Sequence, residues 1–181
     1  SHKDGLGATA LGTQVVASGV GALSSGTKTA ALFSSTLAVG DRSIALSPIS
    51  AAVGLKAQAT NKYAFSIGEG NVASGYASIA GGDHTSATNF YAVSLGWQTK
   101  ADGLGSLVTG SLSEVTGANS TTHGSENKVS GSEAFAVGGR NQVDGRFSVA
   151  LGYKNVDTIL DHGDCYFDSP GTLPYASLVV G

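Results

Sequence analysis

Small and bulky residues alternate along most of this chain, and the alternation recurs on a fixed count. Ala134-Phe135-Ala136-Val137-Gly138 shows it plainly, as do Ala64-Phe65-Ser66-Ile67-Gly68 and Ser148-Val149-Ala150-Leu151-Gly152. Copies begin at residues 8, 22, 36, 50, 64, 78, 92, 106, 120, 134 and 148, a fourteen-residue period, and Gly fills the fifth position of all eleven. A fixed short period decides the architecture before any single residue is weighed. Alternation with period two predicts a strand over positions 1 to 5 of the unit. Because its two sides differ in size rather than polarity, that strand is expected to be covered on both faces. Position 10 is Ala in seven copies and Val in three, which predicts a second strand. Gly or Asn fills position 12 in eight copies, which predicts a turn at positions 12 to 14 with positive φ. Asn, Ser and Thr favour position 8, so a first turn is expected at positions 5 to 8.

Stacked units of this kind make an all-β parallel solenoid with two short strands per rung. Fourteen residues enclose little volume, so small positions 1, 3 and 10 are expected to face inward. Bulky positions 2 and 4 then face outward. That column includes Leu37, Val39, Phe65, Ile67, Val93, Leu95, Phe135, Val137, Val149 and Leu151. At about 1.5–3 kcal/mol for each buried side chain, leaving such a column wet is untenable, so it is expected to be the interface of a homo-oligomer. Eleven rungs make a rod about 50 Å long.

Composition narrows the function classes. Of 181 residues, 27 are Gly and only 13% are charged; the net charge of -3 without a basic run argues against a nucleic-acid partner. One cysteine, Cys165, permits no internal disulfide. Ser1-His2 resembles a tag remnant and residues 1–7 a ragged start, with Gly5 as the tail of a preceding unit. No nucleophile elbow, phosphate loop, zinc-protease motif or EF-hand loop occurs, and the carboxylates scatter over turns. The pattern predicts no enzyme, no cofactor and no metal centre.

The repeat resembles the YadA-like head domain of trimeric autotransporter adhesins, which reads roughly S-V-A-I-G followed by N-x-A-x-G. The first half is matched by 148–152, 134–138, 64–68 and 36–40, and the second by Asn71-Val72-Ala73-Ser74-Gly75 and Asn141-Gln142-Val143-Asp144-Gly145. The likeness runs over residues 8–161. It implies a left-handed parallel β-roll, three chains around a threefold axis, and display at a bacterial surface. The expected role is adhesion to host matrix protein, cell surface or glycan, with membrane attachment only through an anchor elsewhere. Similar rolls occur in phage tail fibres, which makes a virion receptor-binding segment the alternative, and a polysaccharide-degrading spike the third.

Three regions depart from the plain pattern. Tyr63, Tyr76, Phe90, Tyr91 and Trp97 stand at turn positions, where they either stack on a ligand or pack across to a neighbouring chain. Thr109, Thr121 and His123 replace aliphatics, so three copies of His123 would face one axis, where a threefold set of imidazoles or hydroxyls could hold an anion, a water cluster or a metal; a polar marker that fixes the trimer is the plainer reading. Residues 162–176 are expected as an insertion, with residues 177–181 resuming the repeat. The insertion carries Cys165, Tyr166, Phe167 and Tyr175, candidates for ligand contact. His162, Asp164, Cys165 and Asp168 match no established metal-ligand spacing.

Overall fold

The structure is a computed structural model that describes residues 2–3, 5–157 and 165–167. Each fourteen-residue unit forms one coil of a parallel β-solenoid. A five-residue strand covers positions 2 to 6, as in Phe65–Glu69 or Val93–Trp97. A two-residue strand covers positions 9 and 10, as in Val72–Ala73 or Lys100–Ala101. The long strands stack into one twelve-stranded sheet and the short strands into another, so the two strands of each coil are of unequal length. Up to Val149–Tyr153, each rung pairs with the next at the same position of the unit: Phe65 with Ile79, Ile79 with Val93, Val93 with Leu107.

The interior is as narrow as the sequence requires. Positions 1, 3 and 10 are buried almost throughout, from Ala22 and Ser24 to Ala134, Ala136 and Val143, with Ala10 the half-buried exception at the first rung. Position 8 is a fourth buried column, which the turn reading of those residues did not foresee. Val15, Thr29, Ser43, Ala57, Asn71, Thr85, Thr99, Ser113, Asn127, Asn141 and Asn155 all lie inside. The reason is polar. At the bend after the long strand, backbone carbonyls turn inward and need donors. Asn141 Nδ2 donates to Val137 O at 3.2 Å and to Gly152 O of the next coil at 3.1 Å, while its Oδ1 accepts the Asn155 amide at 3.0 Å. Asn71 and Asn127 repeat this bracing. At Thr29 and Thr99 hydroxyls pair across the interior instead, with Ser24 at 2.8 Å and Ser94 at 2.9 Å, while Ser43 Oγ donates to Gly54 O of the next coil at 2.7 Å.

Two columns of glycine, at positions 5 and 12, meet different needs. Position 5 needs Gly twice over. Gly110 has φ of 116°, and a Cβ there would lie 1.9 Å from Gly124 O of the next coil. The position 12 glycines are not at positive φ, contrary to expectation. They allow close approach instead: a Cβ on Gly117 would fall 1.8 Å from Gly131 O. Positive φ falls at positions 7 and 14, on residues such as Arg42, Glu126, Tyr63, Tyr91 and Phe147. There the chain turns its amide back to the previous coil, as Tyr91 N does to Tyr76 O at 2.8 Å.

Both ends carry the pattern further. His2–Lys3 pairs with Val16–Ala17, which makes the start of the chain the tail of a coil. Cys165–Phe167, within the segment expected as an insertion, pairs in parallel with Val149–Leu151. Val149 meets Cys165, sixteen residues on rather than fourteen. The remainder of 162–176, including Tyr175, and the resumed repeat at 177–181 lie outside the described residues.

Candidate functional site

Three features of the outer surface could meet a partner. The first is the long-strand face. Leu37, Val39, Phe65, Ile67, Val93, Leu95, Phe135, Val137, Val149 and Leu151 all point out of the roll, half-buried or exposed, and the register lines them up in two columns. The contrast within one strand is sharp: Ser66 is 0% exposed and Ile67 is 43%. Gly81 leaves a gap in its column that its neighbours fill, since a Cβ there would come within 2.9 Å of Leu95 Cδ2 and 3.4 Å of Ile67 Cγ2. The result is an apolar strip along the rod.

Polar side chains break this strip at Ser25 and again at two successive rungs. Thr109 and His123 are partners in the sheet, and Thr109 Oγ1 lies 2.5 Å from His123 Nδ1. The imidazole also meets the Phe135 ring edge-on, centroids 6.1 Å apart at 70°. Thr121 stands beside them at position 2, half-buried on the same face. The structure therefore brings all three expected axial residues together.

The second feature is an aromatic ridge on the turn at positions 13 and 14. Tyr76 is its centre. It meets Tyr63 edge-on at 5.4 Å, stacks with Phe90 at 5.8 Å, and meets Tyr91 edge-on at 5.9 Å. The Lys62 ammonium sits 4.9 Å above the Tyr63 ring, a cation–π contact invisible in the spacing alone. Asn61 and Asn89 hold the turns beneath. Asn89 Oδ1 accepts the Phe90 amide at 2.8 Å, and its Nδ2 donates to Asp102 O at 2.9 Å. Position 14 demands positive φ, which Gly21, Gly105 and Asn119 meet cheaply. Tyr63 and Tyr91 adopt it at a cost of order 1–2 kcal/mol. Trp97 is not part of this cluster. It closes the long strand at position 6, on the opposite margin of the long-strand face, and is exposed. Tyr166 and Phe167 fall in the last described strand, away from the ridge in the stacking order.

The third feature is the short-strand face, which sequence reasoning passed over. Over its first rungs it is apolar, with Ile44 half-buried beside exposed Leu32 and Leu46. From Gln58 onward it is mostly polar, and bonds run from coil to coil. Thr88 Oγ1 donates to Asp102 at 2.6 Å, and Lys100 Nζ reaches Asp102 at 2.6 Å and Glu114 at 3.0 Å. Hydrogen bonding to Asp102, and then to Glu114, holds the Lys100 ammonium well above the usual lysine range, against a small opposing effect of burial. On the adjoining turn at position 7, Arg140 is raised in the same direction, first by its hydrogen bond to Glu126. The signal was present in the sequence as the residue types at positions 9 and 11, but it changes along the chain and so escapes a search for constancy.

Within one chain, no group of three or more His, Cys, Asp or Glu among the described residues is placed to hold a metal. What the surface can do is bind by area and by shape. No curated protein matches the chain. The model of the YadA head domain repeat does match it, in two copies, at residues 87–113 and 130–155. The coils outside those two segments share their register and their interior glycines. The chain is therefore a parallel β-solenoid of fourteen-residue coils, two stretches of which match the YadA head domain repeat.

Proposed function

We propose that this chain is a head segment of a trimeric adhesin of the autotransporter type, displayed outside a bacterial cell. Three copies pack through the long-strand face, and the rod presents the aromatic ridge around Tyr76 to a host matrix protein or glycan. The observation that carries this reading is the apolar strip at positions 2 and 4, which runs from Leu23 to Leu151 on a chain matching YadA head repeats. A strip of this kind on a narrow rod requires cover, and a rotationally symmetric trimer covers it with the same strip from two other copies. Three parallel copies also multiply each weak contact with a repetitive ligand.

Light scattering on the purified chain tests the arrangement. The expected molar mass is that of three chains. A stable monomer at micromolar concentration would leave the strip exposed and sink the trimeric reading, and the adhesin reading would lose its physical support with it.

A further inference from the structure

The polar break in the long-strand face has a specific geometry. Among the position 4 residues of the eleven coils, only Ser25, Thr109 and His123 are polar. The His123 ring is held on two sides, by Thr109 Oγ1 at Nδ1 and by the edge of Phe135. Its Nε2 receives no hydrogen bond from the described residues of its own chain. If the face is covered, as the trimeric reading requires, that nitrogen enters a buried interface unpaired. Buried polar groups need partners, and leaving one without costs more than removing it.

Threefold symmetry supplies three such nitrogens at one height along the rod. With Nδ1–H donating to Thr109 Oγ1, the Nε2 lone pair is free to point out of the roll. A histidine that binds metal through one ring nitrogen ordinarily donates the other to a fixed acceptor, and Thr109 occupies that place. Imidazole suits zinc, copper and nickel, and three histidines with an open fourth position form a familiar ligand set. The rigid backbone ladder on either side keeps Thr109 and His123 in register.

We propose that three copies of His123 hold one divalent transition-metal ion on the threefold axis, with Thr109 as the positioning residue for each ring. The proposal rests on the trimeric reading above, since one chain supplies a single imidazole to the site.

The test begins with chelator-stripped protein whose mass has been measured. Equilibrium dialysis against zinc, and against cobalt for its visible absorption, should give one ion per three chains. His123→Val should retain the trimeric mass and lose the ion. His123→Gln, which keeps a polar group without an imidazole, should lose it too. Thr109→Val should weaken affinity about tenfold or more. His84→Ala should bind as the parent does, because His84 lies exposed beside Asp83 on another margin of the coil. A trimer that takes up no metal, or a chloride ion in its place, overturns the metal site and leaves the trimer standing. Metal retained by both His123 variants, or lost in His84→Ala, overturns it as well. A monomeric mass overturns both readings together and is seen before any metal is added.

Discussion

The two outer faces of the roll enclose the same interior yet are written in different chemistry. Behind both lie Ala, Ser, Thr, Asn and Val, buried and small. In front of the long strands stand Leu, Val, Ile and Phe for almost the whole length. In front of the short strands, after the first rungs, stand mostly Gln, Ser, Thr, Lys, Glu and Asp, with Val72 and Val156 as the apolar exceptions. Propensity does not explain the difference, because both are parallel sheets stacked in the same register. What separates them is what each meets. The short-strand face ties its polar groups to one another from coil to coil, as Lys100 does with Glu114. A solvated sheet can do that without a partner. At positions 2 and 4 of the described residues the long-strand face has such a tie at Thr109 and His123 alone, and its apolar side chains gain only if water is removed from them.

The largest expected effect comes from breaking what the faces share. Gly110→Ala puts a methyl 1.9 Å from Gly124 O at a φ of 116°. The coils would have to spread, and the loss should exceed about 4 kcal/mol in a urea titration. A variant as stable as the parent would show that the stacking is looser than the geometry states, and neither face would then be well defined.

The next effect separates the faces. Ile67→Asp should reduce the mass from three chains toward one, because it buries an unpaired carboxylate in every copy, at about 3–5 kcal/mol each. Gln58→Asp, at an exposed position of the short-strand face, should leave the mass alone and change stability by no more than about 0.5 kcal/mol. Equal responses would erase the distinction between the two surfaces.

The smallest effect lies within the short-strand face. Lys100→Met removes the contacts to Asp102 and Glu114 and should cost under about 1 kcal/mol, since the ammonium is largely exposed. The sign with pH follows from the direction of its shift. A raised lysine contributes fully below about pH 10.4, the usual value, and its contribution fades as pH climbs through the folded value. The difference between parent and Lys100→Met should therefore be flat from pH 7 to 9 and shrink above about 11.

Much of this was legible in the chain. Gly at position 5 and the alternation of Phe135 and Val137 with Ala134 and Ala136 marked the period, the long strand and its inward side. The resemblance to YadA-like heads rested on the same residues, and two stretches match that repeat. Position 8 was less legible. Asn141 is a common turn residue, and its composition is the same whether it faces water or braces buried carbonyls. The glycines at position 12 misled for a related reason. Gly117 serves both positive φ and close approach equally well, and only the neighbouring coil decides between them. The turn at position 14 could not be read from Tyr63, Tyr91 or Phe147, which are poor residues for the conformation they adopt. The ridge around Tyr76 was visible as four rings on successive turns, while Trp97, equally aromatic, stands on the other margin because it belongs to position 6.

The in-register ladder makes this rod a ruler that can be cut only at its own gradations. Residues fourteen apart occupy equivalent sites, so excising one whole coil, 64–77 for example, would rejoin Tyr63 to Ser78 with every later side chain still facing the surface it faced before. The shortened rod would keep its apolar strip and its polar side, and would lose about 4.8 Å of reach. Removing thirteen residues or fifteen would turn the interior outward from the join onward. Length in such a molecule can therefore be lost or gained by unequal exchange between repeats of its gene, in whole steps, with the folding rules untouched at each one.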